Sequence, residues 1–326
     1  MLEEVNLRGA GLRFAKLQDC VLEGANLRGA DLWGAFLNDA VAPSVDFWGA
    51  TLKEADLRGA DLSESNFRQA TLSSAQLAGA KLRGADLRRA KLAGADLSGA
   101  DLRDAKLQGL DLVVCRIAGS RLSGAWLDKT RIARDQIGEA VGEEVAGEYD
   151  DARKAYLALE RHFQELGDLD ASSWAYRRKR RMHKLDSLQR ARVARAAGER
   201  RAAFKHYSNY ASDQAVEWIC DYGESLPRIL RLMGVVYVAF AVLYGLTGSV
   251  VQLVDIPGES GTIRLTTRSP IDLAIFSLFA MVSPSDPPVG LEAKNEFVHL
   301  LIGLQSLIGI MLTGLLGFVM GNLVRR

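Results

Sequence analysis

Few residues in this sequence stand where they could do chemistry. No nucleophile sits with a base, no His/Cys/Asp/Glu group has metal-ligand spacing, and no glycine-rich loop offers itself to a phosphate. The expectation is therefore no enzyme, no metal and no cofactor. Three cysteines, Cys20, Cys115 and Cys220, are too few and too scattered for a disulfide framework or a zinc site. What remains is one stretch near the C-terminus. Ile271 to Val282 is a short apolar stretch flanked by Pro270 and Pro284, and it leads into Val282, Ser283, Pro284, Ser285 and Asp286. A helix of that length reaches only about 18 Å, too short to cross a bilayer. Irregular backbone at membrane depth survives only inside protein or lining a water-filled cavity. The chemistry expected of such a segment is passage of inorganic ions.

Two longer elements must hold that segment. From Leu232 to Val254 only Gln252 is strongly polar, and from Leu300 to Gly321 there is no formal charge. Each run exceeds the ~20 residues that a helix needs to cross a bilayer, so both are read as transmembrane helices. Arg228 and Arg231 precede the first and Arg325 and Arg326 follow the second, while the loop over 255–296 has three basic and six acidic residues. The positive-inside rule then puts both termini in the cytosol of a multi-pass protein of the cell membrane. Glu3 and Glu4 stand where a signal peptide would carry basic residues, so none is expected. A span, half-helix, span order implies a homo-oligomer around a central path. In the second span His299, Gly303, Ser306, Ile310, Thr313, Gly317 and Gly321 share one face. That face has two readings: close helix packing through small residues, or a pore lining at Ser306, Ile310, Thr313 and Gly317 with Gly309 or Gly314 as a gating hinge. Gln305 lies on another face and is expected to bond a neighbouring helix.

Residues 228–326 resemble the two-span pore domain of the potassium-channel superfamily, which implies a tetramer. Set against that family's TTVGYGD filter, Ala280-Met281-Val282-Ser283-Pro284-Ser285-Asp286 keeps the valine and the aspartate. Both filter glycines are serines and the tyrosine is Pro284. Filter carbonyls turned inward need residues free in their dihedrals, so potassium selectivity is not carried over, and the sign of the permeant ion stays open.

The first part of the chain repeats. Every fifth position from Leu2 to Ile132 holds one kind of residue: 22 Leu, two Phe, two Ile and Ala42 among 27. The residue two before each is nearly always small, usually Ala. A period of five fits neither a helix face nor strand alternation; it fits a chain turning a square corner every five residues. Units such as Ala55-Asp56-Leu57-Arg58-Gly59 resemble the A(D/N)LXX pattern of the pentapeptide-repeat family, which implies a right-handed quadrilateral β-helix over residues 1–134 with residues 20 apart stacked. Asp61, Lys81, Asp101 and Arg121 alternate in sign at that spacing. Val41-Ala42-Pro43-Ser44 breaks the pattern, and a bulge or loosened corner is expected there. Some members of the family mimic DNA, which requires a strongly negative rod. Residues 1–134 hold 17 acidic against 19 basic residues, which argues against it.

Between the two, residues 135–226 form a helical connector. Tyr156, Leu159, Phe163 and Leu166 share a helical face, Gly167-Asp168 marks a turn, and Trp174 lies in a second helix. From Trp174 to His206 there are 12 basic and two acidic residues, including Arg177, Arg178, Lys179, Arg180 and Arg181. That run reads as a solvated basic face or as a contact with anionic lipids; no binding module accompanies it to favour nucleic acid. Trp218 and Tyr222 suit an interfacial belt.

The sequence thus predicts three domains: a β-helix (1–134), a basic α-helical connector (135–226) and an α-helical membrane domain (227–326) with two spans and a re-entrant half-helix. The expected function is an ion channel that is not potassium-selective, carrying a cytosolic rod. The rival is a non-conducting membrane anchor that presents the rod to a cytosolic protein partner.

Overall fold

Each pentapeptide closes one side of a square coil, and the backbone shows why its residue types recur. The computed structural model describes residues 3–248, 250–255, 262–282, 290–294 and 296–324. The chain divides into two units, Met1–Ala211 and Ser212–Arg326.

In the first unit, residues 20 apart pair as parallel bridges from Asn6↔Asn26 to Asp111↔Arg131, so four pentapeptides make one coil of a β-helix. The large and small positions fill its interior: Leu52, Leu57 and Leu62, with Ala50, Ala55 and Ala60, expose nothing. Phe47 and Phe67 stack inside with ring centroids 4.8 Å apart. Ala42 stands at a large position, and Val45 at the next small position restores the volume, both fully buried. Where a unit carries Asp or Asn just before its large residue, that side chain closes the turn. Asp46 accepts the N–H of Trp48 at 3.0 Å, Asp56 that of Arg58 at 3.2 Å and Asp96 that of Ser98 at 3.0 Å. Where the residue two on is arginine, its guanidinium joins the same carboxylate, as Arg58 Nη2 does with Asp56 at 2.7 Å. That bond holds the Asp56 carboxyl below the usual carboxylate range.

The last turn residue of every unit from Glu4 to Lys129 has a positive φ, with the single exception of Val114. A β-branched side chain is excluded from the left-handed region. The ladder slips by one position in consequence: Gly84 donates to the Arg103 carbonyl, but Gly94 passes over the matching Val113 and donates to Val114. Lys91 and Asp111 make no bridge among the described residues. The bulge expected at Val41–Ser44 is absent. Val41 bridges both Val21 and Asp61, and the Pro43 carbonyl accepts from Gly24 at 3.0 Å. Pro43 occupies the first turn position, whose N–H joins no rung and elsewhere bonds an Asp or Asn two residues before it, where one is present; Val41 stands there, so proline removes nothing. Of the alternating charges, Lys81 pairs with Asp61 at 3.4 Å, whereas Asp101 turns to Arg103 and Arg121 to Glu148.

The last coil is capped. α1 (Arg134–Ile137) brings Gln136, whose amide donates to the carbonyls of Leu112 and Cys115 at 3.0 and 3.1 Å. α2 (Gly142–Val145) brings Glu143, fully buried, whose Oε1 accepts the N–H groups of Leu122 and Ser123 at 2.8 and 2.6 Å. Side chains thereby satisfy edge groups that a further coil would otherwise pair. α3 (Tyr149–Leu166) and α4 (Leu169–Ala196) form the expected hairpin, with Gly167 left-handed at φ 73 and Asp168 capping the N–H of Ala171 at 3.0 Å. Tyr156, Leu159, Phe163 and Trp174 continue the β-helix core. Leu166, expected on that face, is 53% exposed at the end of α3. α5 (Arg200–Cys220) follows.

In the second unit, Cys220 leads through a short 3₁₀ turn, Asp221–Gly223, into α6 (Leu226–Thr247). Gly248, left-handed at φ 58, ends α6, so the span expected to reach Val254 stops at Thr247. The β-branched run that follows is a strand, β1 (Val250–Asp255), paired with β2 (Thr262–Thr266) and β3 (Leu291–Ala293) in the antiparallel order β2-β1-β3. Apolarity alone does not distinguish such a strand from a continuing helix. Between β2 and β3 lies a short apolar helix, α7 (Pro270–Val282), over the stretch read as a half-helix, and after β3 comes α8 (Glu296–Val324). α6 and α8 are about 33 and 44 Å long at 1.5 Å per residue. Both are apolar along most of their length and largely unburied, unlike the core helix of a soluble fold. Both are long and apolar enough to span a membrane.

Candidate functional site

The short helix α7 is held between the two long helices by buried polar groups. Ser277 of α7 donates from Oγ to the Tyr237 carbonyl of α6 at 2.9 Å. Gln305 of α8 donates from Nε2 to the Ser277 carbonyl at 2.9 Å and lies 2.8 Å from Ser277 Oγ, while its Oε1 accepts the Tyr244 hydroxyl of α6 at 2.9 Å. Ser277, Gln305 and Tyr244 are fully buried. In an apolar unit such groups must pair with one another, so the network fixes both the depth and the rotation of α7. Tyr244 also meets Phe276 edge-on, with centroids 5.2 Å apart. The sequence reading foresaw a helix partner for Gln305 but missed Ser277 and Tyr244. The signal was there: each of the three apolar stretches carries hydrogen-bonding side chains, among them Tyr244, Ser277 and Gln305.

Close approach completes the seat. A Cβ on Gly309 would lie 2.6 Å from the Met281 carbonyl oxygen, and one on Gly245 would lie 2.9 Å from Leu273 Cδ1. Gly309, expected as a hinge, therefore serves as a packing contact, and α8 is unbroken through Gly309 and Gly314. α6 and α8 run antiparallel: Ile229 meets Val319 at one end, and Tyr244 clusters with Val298, Leu301 and Ile302 at the other.

Around α8 the surroundings divide into three arcs. Val298, Leu301, Gln305, Leu312 and Val319 are buried within the unit. Leu300, Leu304, Leu307, Met311 and Phe318 form a bulky exposed arc. Between them His299, Gly303, Ile310, Thr313, Gly314, Gly317 and Gly321 make an exposed arc. Here a Cβ on any of the four glycines would meet nothing within 4 Å. Of the expected pore-lining residues, Ile310, Thr313 and Gly317 lie on this arc. Ser306 does not; at 6% exposure it is inside the unit, at the arc's edge. Thr313 returns its hydroxyl to the Gly309 carbonyl at 2.8 Å.

Val282 ends α7 and is 76% exposed. Ser283, Pro284, Ser285 and Asp286 lie outside the described residues. Of the basic run, Arg178 is paired with Glu144 at 2.7 Å and Lys179 with Glu160, both against the β-helix cap. These two side chains are therefore not lipid contacts, while Arg177 and Arg181 are exposed. Trp218 is 67% exposed, but Tyr222 is buried, with its hydroxyl on Glu217 at 3.4 Å, and so does not join an interfacial belt. Among the described residues no group of His, Cys, Asp and Glu is placed to hold a metal.

The family model for pentapeptide repeats matches eight copies, over residues 6–41, 44–77, 70–109 and 95–132. No curated protein matches the chain. Among solved structures, the chain is similar to the pentapeptide repeat protein Rfr23 from the cyanobacterium Cyanothece 51142, at 27% identity, 35% of this chain, 80% of that one and a TM-score of 0.27. It is also similar to a pentapeptide repeat protein from Nostoc PCC 7120, at 33% identity, 37% and 82% coverage and a TM-score of 0.23. QnrB1, a plasmid-mediated fluoroquinolone resistance protein, matches at 18% identity, 44% and 85% coverage and a TM-score of 0.25. The assignment rests on the family model together with the ladder of twenty-residue rungs. The chain belongs to the pentapeptide-repeat proteins, through a β-helix over residues 6–132.

Proposed function

We propose that the protein is a membrane ion channel: a homo-oligomer, fourfold by its resemblance to two-span channels, with a cytosolic pentapeptide-repeat rod. The observation that carries this reading is the open small-residue arc of α8 beside a half-helix seated by the Gln305 network. A bulky arc suits lipid. An arc of glycines, Ile310 and Thr313 suits a neighbouring copy or a narrow aqueous path, and an anchor has no use for a half-helix docked by hydrogen bonds. The pathway is assigned to Val282, Ser283, Pro284, Ser285 and Asp286, continued by Ile310, Thr313 and Gly317. Pro284 and the two serines leave no potassium filter. Basic residues flanking α6 and α8, and the antiparallel pairing of those helices, support a membrane location with both termini cytosolic.

Single-channel recording of the purified protein in planar bilayers under asymmetric potassium chloride tests this, with Ser283→Trp as the control. Discrete conductance steps that vanish in the variant are expected, and the reversal potential then gives the sign of the ion. Silent bilayers containing demonstrably inserted protein would favour the anchored scaffold instead.

A further inference from the structure

The first turns of α6 carry a site that conduction does not use. Arg228, Arg231, Leu232 and Val235 lie at i, i+3, i+4 and i+7, one stripe of the helix. With Trp218 from α5 they line a cavity of about 400 Å³. The cavity is divided along the helix axis: two guanidiniums in the first turns, two aliphatic side chains a turn further into the apolar run, and an indole alongside. Arg228 is fixed by donating to the Glu217 carbonyl at 2.6 Å and lies 3.7 Å from Asp221, which partly neutralises it. Arg231 is exposed and makes no ion pair or hydrogen bond among the described residues. The amino end of α6 adds its partial positive charge to the same place. Trp218 and Val235 are 67% and 58% exposed, so a ligand has access to both halves.

We propose that this cavity binds an anionic phospholipid, with the phosphate on Arg231 and Arg228 and an acyl chain along Leu232 and Val235 beside Trp218. The inference rests on α6 crossing a bilayer, one part of the reading above, and is independent of conduction. A free phosphate would satisfy only the arginines; the aliphatic continuation of the stripe selects a ligand with a charged head and an apolar tail.

The test is quenching of tryptophan fluorescence in the full-length protein, reconstituted in vesicles of brominated phosphatidylglycerol or brominated phosphatidylcholine, with Trp218→Phe as the blank. Trp218-dependent quenching stronger with phosphatidylglycerol is expected, with the apparent preference falling about fivefold in Arg231→Gln, the effect of one interfacial charge. Arg231 is exposed, so this variant folds. An Arg177→Gln/Arg181→Gln variant should keep the preference. Equal quenching by both lipids, a preference untouched by Arg231→Gln, or one lost instead in the Arg177/Arg181 variant would overturn the site while leaving the membrane reading intact. Loss of the preference in excess inorganic phosphate would reveal a free-anion site and overturn the lipid assignment. Failure of the protein to float with vesicles of either lipid would overturn the membrane reading itself, and the site with it.

Discussion

Gln305 joins three helices with one amide. Its two ends are matched to groups of opposite kind, the Ser277 oxygens and the Tyr244 hydroxyl. Removing the amide takes the acceptor from the Tyr244 hydroxyl and a donor from the Ser277 oxygens, although Ser277 Oγ keeps its bond to the Tyr237 carbonyl. Gln305→Leu keeps the volume and the apolar character, yet leaves the Tyr244 hydroxyl without its acceptor. It should destabilise the second unit by about 1–3 kcal/mol, read as a lower thermal midpoint in detergent. Gly309→Ala should act in the same direction for a steric reason, because its Cβ would press 2.6 Å from the backbone oxygen of Met281. Backbone yields less readily than a flexible side-chain end. An unchanged midpoint in both variants would show that α7 is not seated as described. Gln305 was legible as a mid-span polar residue wanting a partner. That the partner would be Ser277 was not, because the periodicity of a uniformly apolar run says little about which face turns inward.

At the scale of elements, the β-helix was legible almost in full, because its period is independent of any partner and each position has one local task. The errors came from applying general rules to a special backbone. Pro43 was expected to disturb the coil, yet its position contributes no rung. Val114 drew no notice, although it alone fails the left-handed requirement that its counterparts from Glu4 to Lys129 meet. Apolar residues read as favourable by hydropathy, and the φ demand of the turn is visible only once positions are aligned by fives. Val114→Gly should therefore restore both the left-handed turn and the Lys91–Asp111 rung. A gain of about 0.5–1 kcal/mol in the first unit is expected, given that a non-glycine residue costs about 1–2 kcal/mol in that conformation and glycine costs chain entropy. Chemical denaturation measures it, and a loss of stability would mean that the slipped ladder is the better packed arrangement. The strand β1 was missed for the converse reason: Val250–Val254 is as apolar as a span, and only Gly248 hints that the helix stops.

For the whole molecule, what must be explained is how much apolar surface a single chain leaves uncovered. Leu300, Leu304, Leu307, Met311 and Phe318 are the kind of surface that acyl chains cover well. The glycine arc is different. Lipid tails gain little against a groove without side chains, whereas a second helix gains close van der Waals contact there. Gly317 has no neighbour within 4 Å of where its Cβ would stand, so a large side chain fits the isolated chain without strain. Gly317→Trp is therefore expected to leave the fold of one chain intact while blocking approach of another. In nanodiscs, native mass spectrometry should find a closed oligomer for the unaltered protein and smaller species for Gly317→Trp, with the thermal midpoint of the first unit unchanged. The contrast with Gly309→Ala is what gives the experiment its force. The two glycines lie two turns apart on one helix, yet one substitution should weaken the chain without directly opposing assembly, and the other should prevent assembly without weakening the chain. If Gly317→Trp assembles as the unaltered protein does, the small-residue arc faces lipid or solvent rather than a second copy, and the ring that conduction requires must be built on some other face.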